Sequence, residues 1–250
     1  MIYRISSRSN PKVKALVEEK DSFFFFEGEK LVMDILAKGI QVSTLIVANR
    51  HEELANRYRR LCDEIWLVSE PILKKLTTLK NTPDFLAVVD VGRNKINFSK
   101  ADIVIVLDNV QDPANAGSVF RCASAFGIDY IALTGSSVKP ENPKFLRAAQ
   151  TSVFDVKFQT FPDLNTLLKK SEIRTYNVYL TSSSNTVNMI PIKKVIPPCL
   201  IVIGNEGQGV APELFEKYPA IRLSQTKRID SLNAGVSACI IMYELRRIGV

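Results

Sequence analysis

Three short polar segments carry the side chains that could do chemistry. Gly204-Asn205-Glu206-Gly207-Gln208-Gly209 packs three glycines and a carboxylate into six residues. Glycines at that density let a backbone pass close to a ligand. A carboxylate among them can hold a hydroxyl or a neighbouring guanidinium. Upstream, the run DNVQDPANAGSVFR from Asp108 supplies Asn115 and Arg121. A guanidinium about two turns into a helix can reach back toward a phosphate at the loop end. Downstream, Ser231-Leu232-Asn233 leads straight into the last apolar helix. Plainer readings exist for each: Asn115, Ser231 and Asn233 as helix caps, Arg121 as the partner of a carboxylate, Glu206 as solvated. For the Asn115–Arg121 segment alone the plainer reading is preferred. What favours chemistry is placement. Each segment follows a predicted strand, and ligands of open α/β sheets sit at the carboxyl ends of strands.

The elements that must position these groups alternate. Strands are expected at Phe23–Glu27, Thr44–Ala48, Ile65–Val68 and Phe85–Val91. Helices are expected from Pro11, at Lys30–Lys38, at Glu52–Cys62, and at Glu70–Leu76 capped by Ser69. Together they make a small, mostly parallel α/β unit over residues 1–95. Gly92–Lys100 is polar and basic and reads as a linker. A second unit, residues 101–250, continues the alternation with strands at Ile103–Leu107, Ile128–Leu133, Val156–Phe158, Thr175–Thr181, Leu200–Ile203 and near Ala220–Leu223. Its helices are Ser118–Phe126, begun at Asn115, then Pro143–Ala149, Leu164–Lys170 and Asn233–Arg246. The fold class is α/β, a parallel sheet flanked by helices.

Composition narrows the chemistry. Thirty-three Lys and Arg against 26 Asp and Glu give a net charge of +7, which suits a polyanionic partner without requiring one. His51 is the only histidine, and Cys62, Cys122, Cys199 and Cys239 form no CxxC pair, so no metal site is expected. No phosphate loop of the GxxxxGK[ST] type, GxGxxG or HExxH occurs, and a lone histidine leaves no Ser-His-Asp set. Nucleotide hydrolases and dehydrogenases of the ordinary kinds are disfavoured. No segment approaches the length of a membrane helix, and Met1 leads into Arg4, Arg8, Lys12 and Lys14 rather than an apolar leader. A cytoplasmic protein with reduced thiols is the expectation.

Three long motifs, NVQDPANAGSVFRCASAFG, LIVIGNEGQGV and LSQTKRIDSLNAGVSACIIMYE, stand in order from Asn109 to Glu244. They resemble the three motifs of the SpoU (TrmH) family of RNA ribose 2′-O-methyltransferases, within the SPOUT superfamily. FFFFEGEKLVMDILAKG, in the first unit, is similar to the opening of the small ribosomal-protein-like substrate-binding domain that often precedes that catalytic domain. The resemblance implies a deep trefoil knot at the C-terminal end and a homodimer with the site at its interface. It also implies S-adenosylmethionine held by backbone groups around Ile203, Gly204, Leu223 and Leu232, with Thr181 nearby. Arg121 matches the proposed catalytic arginine, and Asn115, Glu206, Ser231 and Asn233 match the other polar positions. A guanidinium holds its proton too strongly to be a good general base. The expected role of Arg121 is therefore to fix the RNA phosphate and stabilise the developing alkoxide. The third motif departs from the usual Ile-Pro-Met opening, with Leu223-Ser224-Gln225 followed by the basic Thr226-Lys227-Arg228.

Candidate RNA contacts are Arg4, Arg8, Lys12 and Lys14, with Lys144 and Arg147 near the site. For each, a solvated surface charge is the alternative. Structured RNA is the expected partner, ribosomal RNA (23S in particular) ahead of transfer RNA. A non-catalytic RNA-binding or ribosome-assembly factor with the same fold is the competing class.

Overall fold

Two sets of strands, each with its own core, divide the computed structural model. It describes residues 1–19, 23–90, 95–182, 188–221, 223, 226, 228–229 and 231–249. One unit is Met1–Gly92 with Pro140–Thr151, and the other is Arg93–Lys139 with Ser152–Val250.

The first unit is built on five strands: β1 (Ile2–Ile5), β2 (Phe24–Glu27), β3 (Val42–Ala48), β4 (Cys62–Val68) and β5 (Phe85–Val89). Their spatial order is β1-β4-β3-β5-β2. The β1–β4 and β3–β4 pairs are parallel, but β5 runs antiparallel to both β3 and β2, so the expectation of a mostly parallel sheet is corrected to a mixed one. β1 was not anticipated, because four residues with Arg4 among them give little period-2 signal. Helices α1 (Pro11–Glu18), α2 (Glu29–Ala37), α3 (Glu52–Arg57) and α4 (Glu70–Leu76) join the strands. The side chain of Asn10 caps α1 through the Lys12 amide, whereas Ser69 makes no side-chain cap bond to α4. α3 stops at Arg57, and Cys62, expected to end a helix, begins β4 instead. All of β2 is buried, including the carboxylate of Glu27. That carboxylate accepts hydrogen bonds from Thr77 Oγ1, Thr78 N and Thr78 Oγ1 at 2.6–2.9 Å, which offsets the cost of burying it.

The second unit is a seven-stranded sheet with order β10-β12-β9-β11-β6-β7-β8, every pair parallel. The strands are β6 (Ile103–Asp108), β7 (Tyr130–Thr134), β8 (Lys157–Phe161), β9 (Asn177–Thr181), β10 (Met189–Ile190), β11 (Cys199–Ile203) and β12 (Ala220–Ile221). IVIVLD in β6 and CLIVI in β11 are buried throughout, as central strands covered on both faces must be. One face carries Val104, Val106, Leu200 and Val202 in a core that α7 (Leu164–Leu168) closes with Leu164 and Leu167. The other face is covered by α5 (Pro113–Phe126), where Phe120 meets Phe158 edge-on at 5.4 Å, and by α8 (Ala234–Arg247).

The helix α6 (Pro143–Ala149), which sequence order put in the second unit, packs in the first. It lies against β2, with Phe145, Leu146 and Ala149 buried. An apolar face on so short a helix does not say which sheet it covers. The ends of two expected segments, Val91–Gly92 and Ser224–Gln225 with Lys227, lie outside the described residues. No described helix is long and apolar enough to cross a membrane.

Candidate active site

Strand order in the second unit reverses between β6 and β11. The chain builds β7 and β8 to one side, and β9, β12 and β10 to the other. A reversal of this kind leaves a crevice beyond the carboxyl ends of the strands. To the β11 side of that reversal, beyond the strand ends, lies a cleft of about 330 Å³, lined from the ends of β9, β11 and β12 and from the start of α8. Thr181, Ile203, Gly204, Leu223 and Leu232, the five residues assigned to the cofactor, all line it, as do Glu206 and Ser231.

Gly204 opens a loop that folds back on itself. Asn205 and Gly209 form an isolated bridge, with Gly209 N donating to Asn205 O at 2.9 Å. A Cβ on residue 204 would run into the Gly209 carbonyl carbon and lie 2.5 Å from Val210 N, so only glycine fits. Thr181 Oγ1 donates to Val202 O at 2.9 Å, tying the end of β9 to β11 and leaving the Thr181 side chain at the cleft wall.

Glu206 and Asn115, 91 residues apart, meet. Asn115 Nδ2 donates to Glu206 Oε1 at 2.7 Å. Asn115 does not start its helix as expected. Asp112 is the cap, its Oδ1 accepting from Asn115 N at 2.8 Å, and Pro113 takes the first turn. Asn115 is thereby free to face the third segment as well. A Cβ on Gly235 would lie 3.1 Å from Asn115 Cα, so the first turn of α8 sits directly against it. Asn233 caps α8 by accepting from Val236 N at 3.1 Å, which is the plainer of its two readings. Ser231 reaches the cleft and is not a cap.

Arg121 is not gathered into this cluster. It is exposed on α5, and among the described residues no hydrogen bond or ion pair engages it. It does not line the cleft. The expectation of a carboxylate partner finds no support, and the guanidinium is left open to solvent.

α5 and α8 run side by side in the same direction. Asn115 meets Gly235, Cys122 is disulfide-bonded to Cys239 with their Cα atoms 5.5 Å apart, and Arg246 donates to Phe126 O and Gly127 O at 2.8 and 3.0 Å. The reading of four reduced thiols is corrected for these two. A separation of 117 residues hides the pair until the helices pack. Cys62 and Cys199 remain buried thiols, and burial pushes them up to about 11 and about 12. Such thiols are inert as nucleophiles.

The basic residues assigned to RNA all fall in the first unit and differ in availability. Arg4 pairs with Glu52 at 2.6 Å, and Arg8 Nε donates to Pro71 O. Lys12 pairs with Glu64 at 2.7 Å and lies over the Tyr3 ring at 4.2 Å. Arg147 donates to Thr78 Oγ1 at 3.2 Å. Lys14 and Lys144 are exposed and without a partner among the described residues. Among the described residues no cluster of His, Cys, Asp and Glu could hold a metal ion.

Sequence reasoning passed over Asn205, Ser182, Ser237 and Ile241, which also line the cleft. Asn205 lay inside a segment already singled out. Ser237 and Ile241 sit one turn apart on a helix whose spacing read equally well as core.

A model of the SpoU rRNA methylase family matches residues 102–243, and a model described as the MRM3-like substrate binding domain matches residues 10–87. The 23S rRNA (guanosine(2553)-2′-O)-methyltransferase RlmP of Bacillus subtilis is 28% identical over 253 residues, covering 97% of this chain and 99% of its own. A Synechocystis protein described as an uncharacterized tRNA/rRNA methyltransferase is 28% identical over 261 residues, covering 98% and 94%. Among solved structures, the AdoMet-bound rRNA methyltransferase from Sinorhizobium meliloti superposes with a TM-score of 0.81 at 25% identity, covering 100% of this chain and 99% of that one.

Proposed function

Because this chain belongs to the SpoU rRNA methylase family, we propose that it methylates a ribose 2′-hydroxyl of ribosomal RNA, in the large-subunit RNA, with S-adenosylmethionine as methyl donor. The observation that carries this reading is a cleft lined by two of the polar segments, with the third bonded and packed against both. Asn115 bonds to Glu206, Gly235 packs on Asn115, and Ser231 and Leu232 line the wall opposite the glycine loop.

The residues present fit the cofactor. The cleft mixes apolar walls (Ile203, Leu223, Leu232) with hydroxyls and amides, and Gly204 brings bare backbone to its edge. Ile203, Gly204, Leu223 and Leu232 would hold it through backbone groups, with Thr181 beside them. S-adenosylmethionine, when bound, supplies an electrophilic methyl group on sulfur. Arg121, exposed and unpaired among the described residues, holds the RNA phosphate and stabilises the charge that develops on the attacking 2′-oxygen. Asn115 and Glu206 fix one another and hold the α5 segment against the glycine loop. Asn233 sets the start of α8 while Ser231 faces the cleft, and positioning supplies most of the acceleration.

The first domain is the RNA-binding element, with Lys14 and Lys144 as its open cations and Arg4, Arg8, Lys12 and Arg147 available once their neighbours yield. The second is the catalytic domain. A deep trefoil knot at its C-terminal end is supported by connectivity. α8 follows β12, on the far side of β9 and β11, yet packs beside α5, which follows β6. A homodimer is supported by the stripe Val236, Ile240 and Tyr243, spaced by four and three on α8 and 37–51% exposed. Action on ribosomal RNA accords with a cytoplasmic protein.

Calorimetric titration with S-adenosylmethionine, followed by mapping of 2′-O-methyl sites in ribosomal RNA from cells with and without the gene, tests the reading. One site per subunit and one lost ribosomal methyl group are expected. RNA binding without cofactor binding would leave an assembly factor, and a methyl group lost from transfer RNA instead would move the substrate.

A further inference from the structure

Asn205 is the side chain in the cleft whose bonds face two ways. Its Oδ1 accepts from Gly207 N at 2.8 Å and Gln208 N at 3.1 Å, which shapes the glycine loop from within. Its Nδ2 donates to Asn109 O at 2.8 Å, across 96 residues, and so ties that loop to the turn after β6.

The acceptor is itself held. Asn109 has a left-handed backbone, φ +57°, unusual for a residue other than glycine. Its side chain is held at both ends. Oδ1 accepts from Ser136 N and Ser136 Oγ at 3.0 Å, and Nδ2 donates to Asp108 Oδ1 at 3.2 Å. Asp108 is buried and also accepts from Thr134 Oγ1 at 2.6 Å. Gly135 leaves the space Asn109 occupies, since a Cβ there would strike Asn109 Oδ1. A backbone conformation kept by this many bonds aims one carbonyl at one place. Three residues after Asn109 comes Asp112, which caps α5, and α5 carries Asn115 and Arg121.

We propose that Asn205 is a positioning residue. It registers the glycine loop against the turn after β6, and thereby fixes the distance at which Glu206 meets Asn115. The Asn115–Glu206 pair joins a half-buried amide to an exposed carboxylate, and a single side-chain bond open to water contributes little to holding two loops in register. The Asn205–Asn109 bond ends on backbone at the foot of a buried strand, and supplies that rigidity. Its consequence for catalysis rests on the cleft being the methyl-transfer site.

Asn205→Asp separates the two halves of the role. It keeps an acceptor for Gly207 N and Gln208 N but sets a carboxylate oxygen against Asn109 O. Asn205→Ala removes both halves. With S-adenosylmethionine and ribosomal RNA from cells lacking the gene, kcat should fall at least about 10-fold in Asn205→Asp, while cofactor affinity stays within about threefold of wild type. The double variant Asn205→Asp/Glu206→Ala should be no slower than Glu206→Ala, because one acts through the other. Amide hydrogen exchange over residues 204–210 of the unliganded protein should quicken in Asn205→Asp and quicken further in Asn205→Ala. That readout needs neither cofactor nor RNA. Unchanged exchange, or additive losses in kcat, overturns the proposal. Quickened exchange in a protein that neither binds the cofactor nor methylates RNA upholds the register and removes the methyltransferase reading instead.

Discussion

Arg121 stands out at the scale of single residues because nothing holds it. A solvent-facing guanidinium two turns into a helix whose first turn engages Asp112 and Asn115 suits the proposed hold on an RNA phosphate. Arg121→Ala should lower kcat by about 100-fold or more, the scale of losing one group that stabilises charge in the transition state. Calorimetric affinity for S-adenosylmethionine should be nearly unchanged, since Arg121 does not line the cleft. An equal loss of both would mean that it acts on the cofactor. The polar types and spacings in all three segments were legible in the sequence. The Asn115–Glu206 bond and the double engagement of Asn205 were not, because hydrogen bonds across 91 and 96 residues leave no local pattern.

Between elements, side-chain ties decide register. In the first unit Lys12 on α1 bonds Glu64 on β4, and Trp66 Nε1 donates to the same carboxylate at 2.8 Å. The hydrogen bond from Lys12 is the largest influence on Glu64, and it holds the carboxyl below its ordinary value of 4.5 against the opposing effect of burial. The folded chain therefore binds fewer protons at Glu64 than the unfolded one. The tie's stabilisation is full above that ordinary value and fades as pH falls through the lower folded value. For a partly exposed pair it is worth roughly 0.5–1 kcal/mol. Thermal unfolding of Lys12→Met should show that deficit near pH 7 and a smaller one at about pH 3. A constant deficit would mean that the lysine stem packing on Tyr3 is what matters. Helix starts follow the same logic. α5 starts earlier than the expected Asn115, with Asp112 as its cap and Pro113 in its first turn, which leaves the Asn115 side chain to bond Glu206.

For the molecule as a whole, the exposed stripe on α8 is the feature a lone chain does not explain. Val236, Ile240 and Tyr243 line up on one side, while Ala238, Ile241, Met242 and Leu245 are buried on the other. If the stripe is the subunit interface, Ile240→Asp/Tyr243→Asp should convert a dimer to a monomer in light scattering. Some loss of thermal midpoint at high dilution is expected from Tyr243→Asp, because the Tyr243 ring meets Phe126 edge-on at 5.8 Å within one subunit, and Ile240→Asp alone should change it little. A wild-type monomer, or a charged variant that still dimerises, would move the interface elsewhere.

The sequence by itself determined the α/β class, the strand-end location of the polar segments and the family. Apolar runs, glycines and polar spacing are local properties that a single stretch of chain carries. Only the tertiary structure decided the mixed sheet of the first unit and the place of α6 against β2. It also decided the Cys122–Cys239 link and the two asparagine contacts that assemble the cleft. Each of these is a choice of partner between residues far apart in sequence. Such choices are set by which faces are left to cover once the strands have paired, a quantity no local pattern contains.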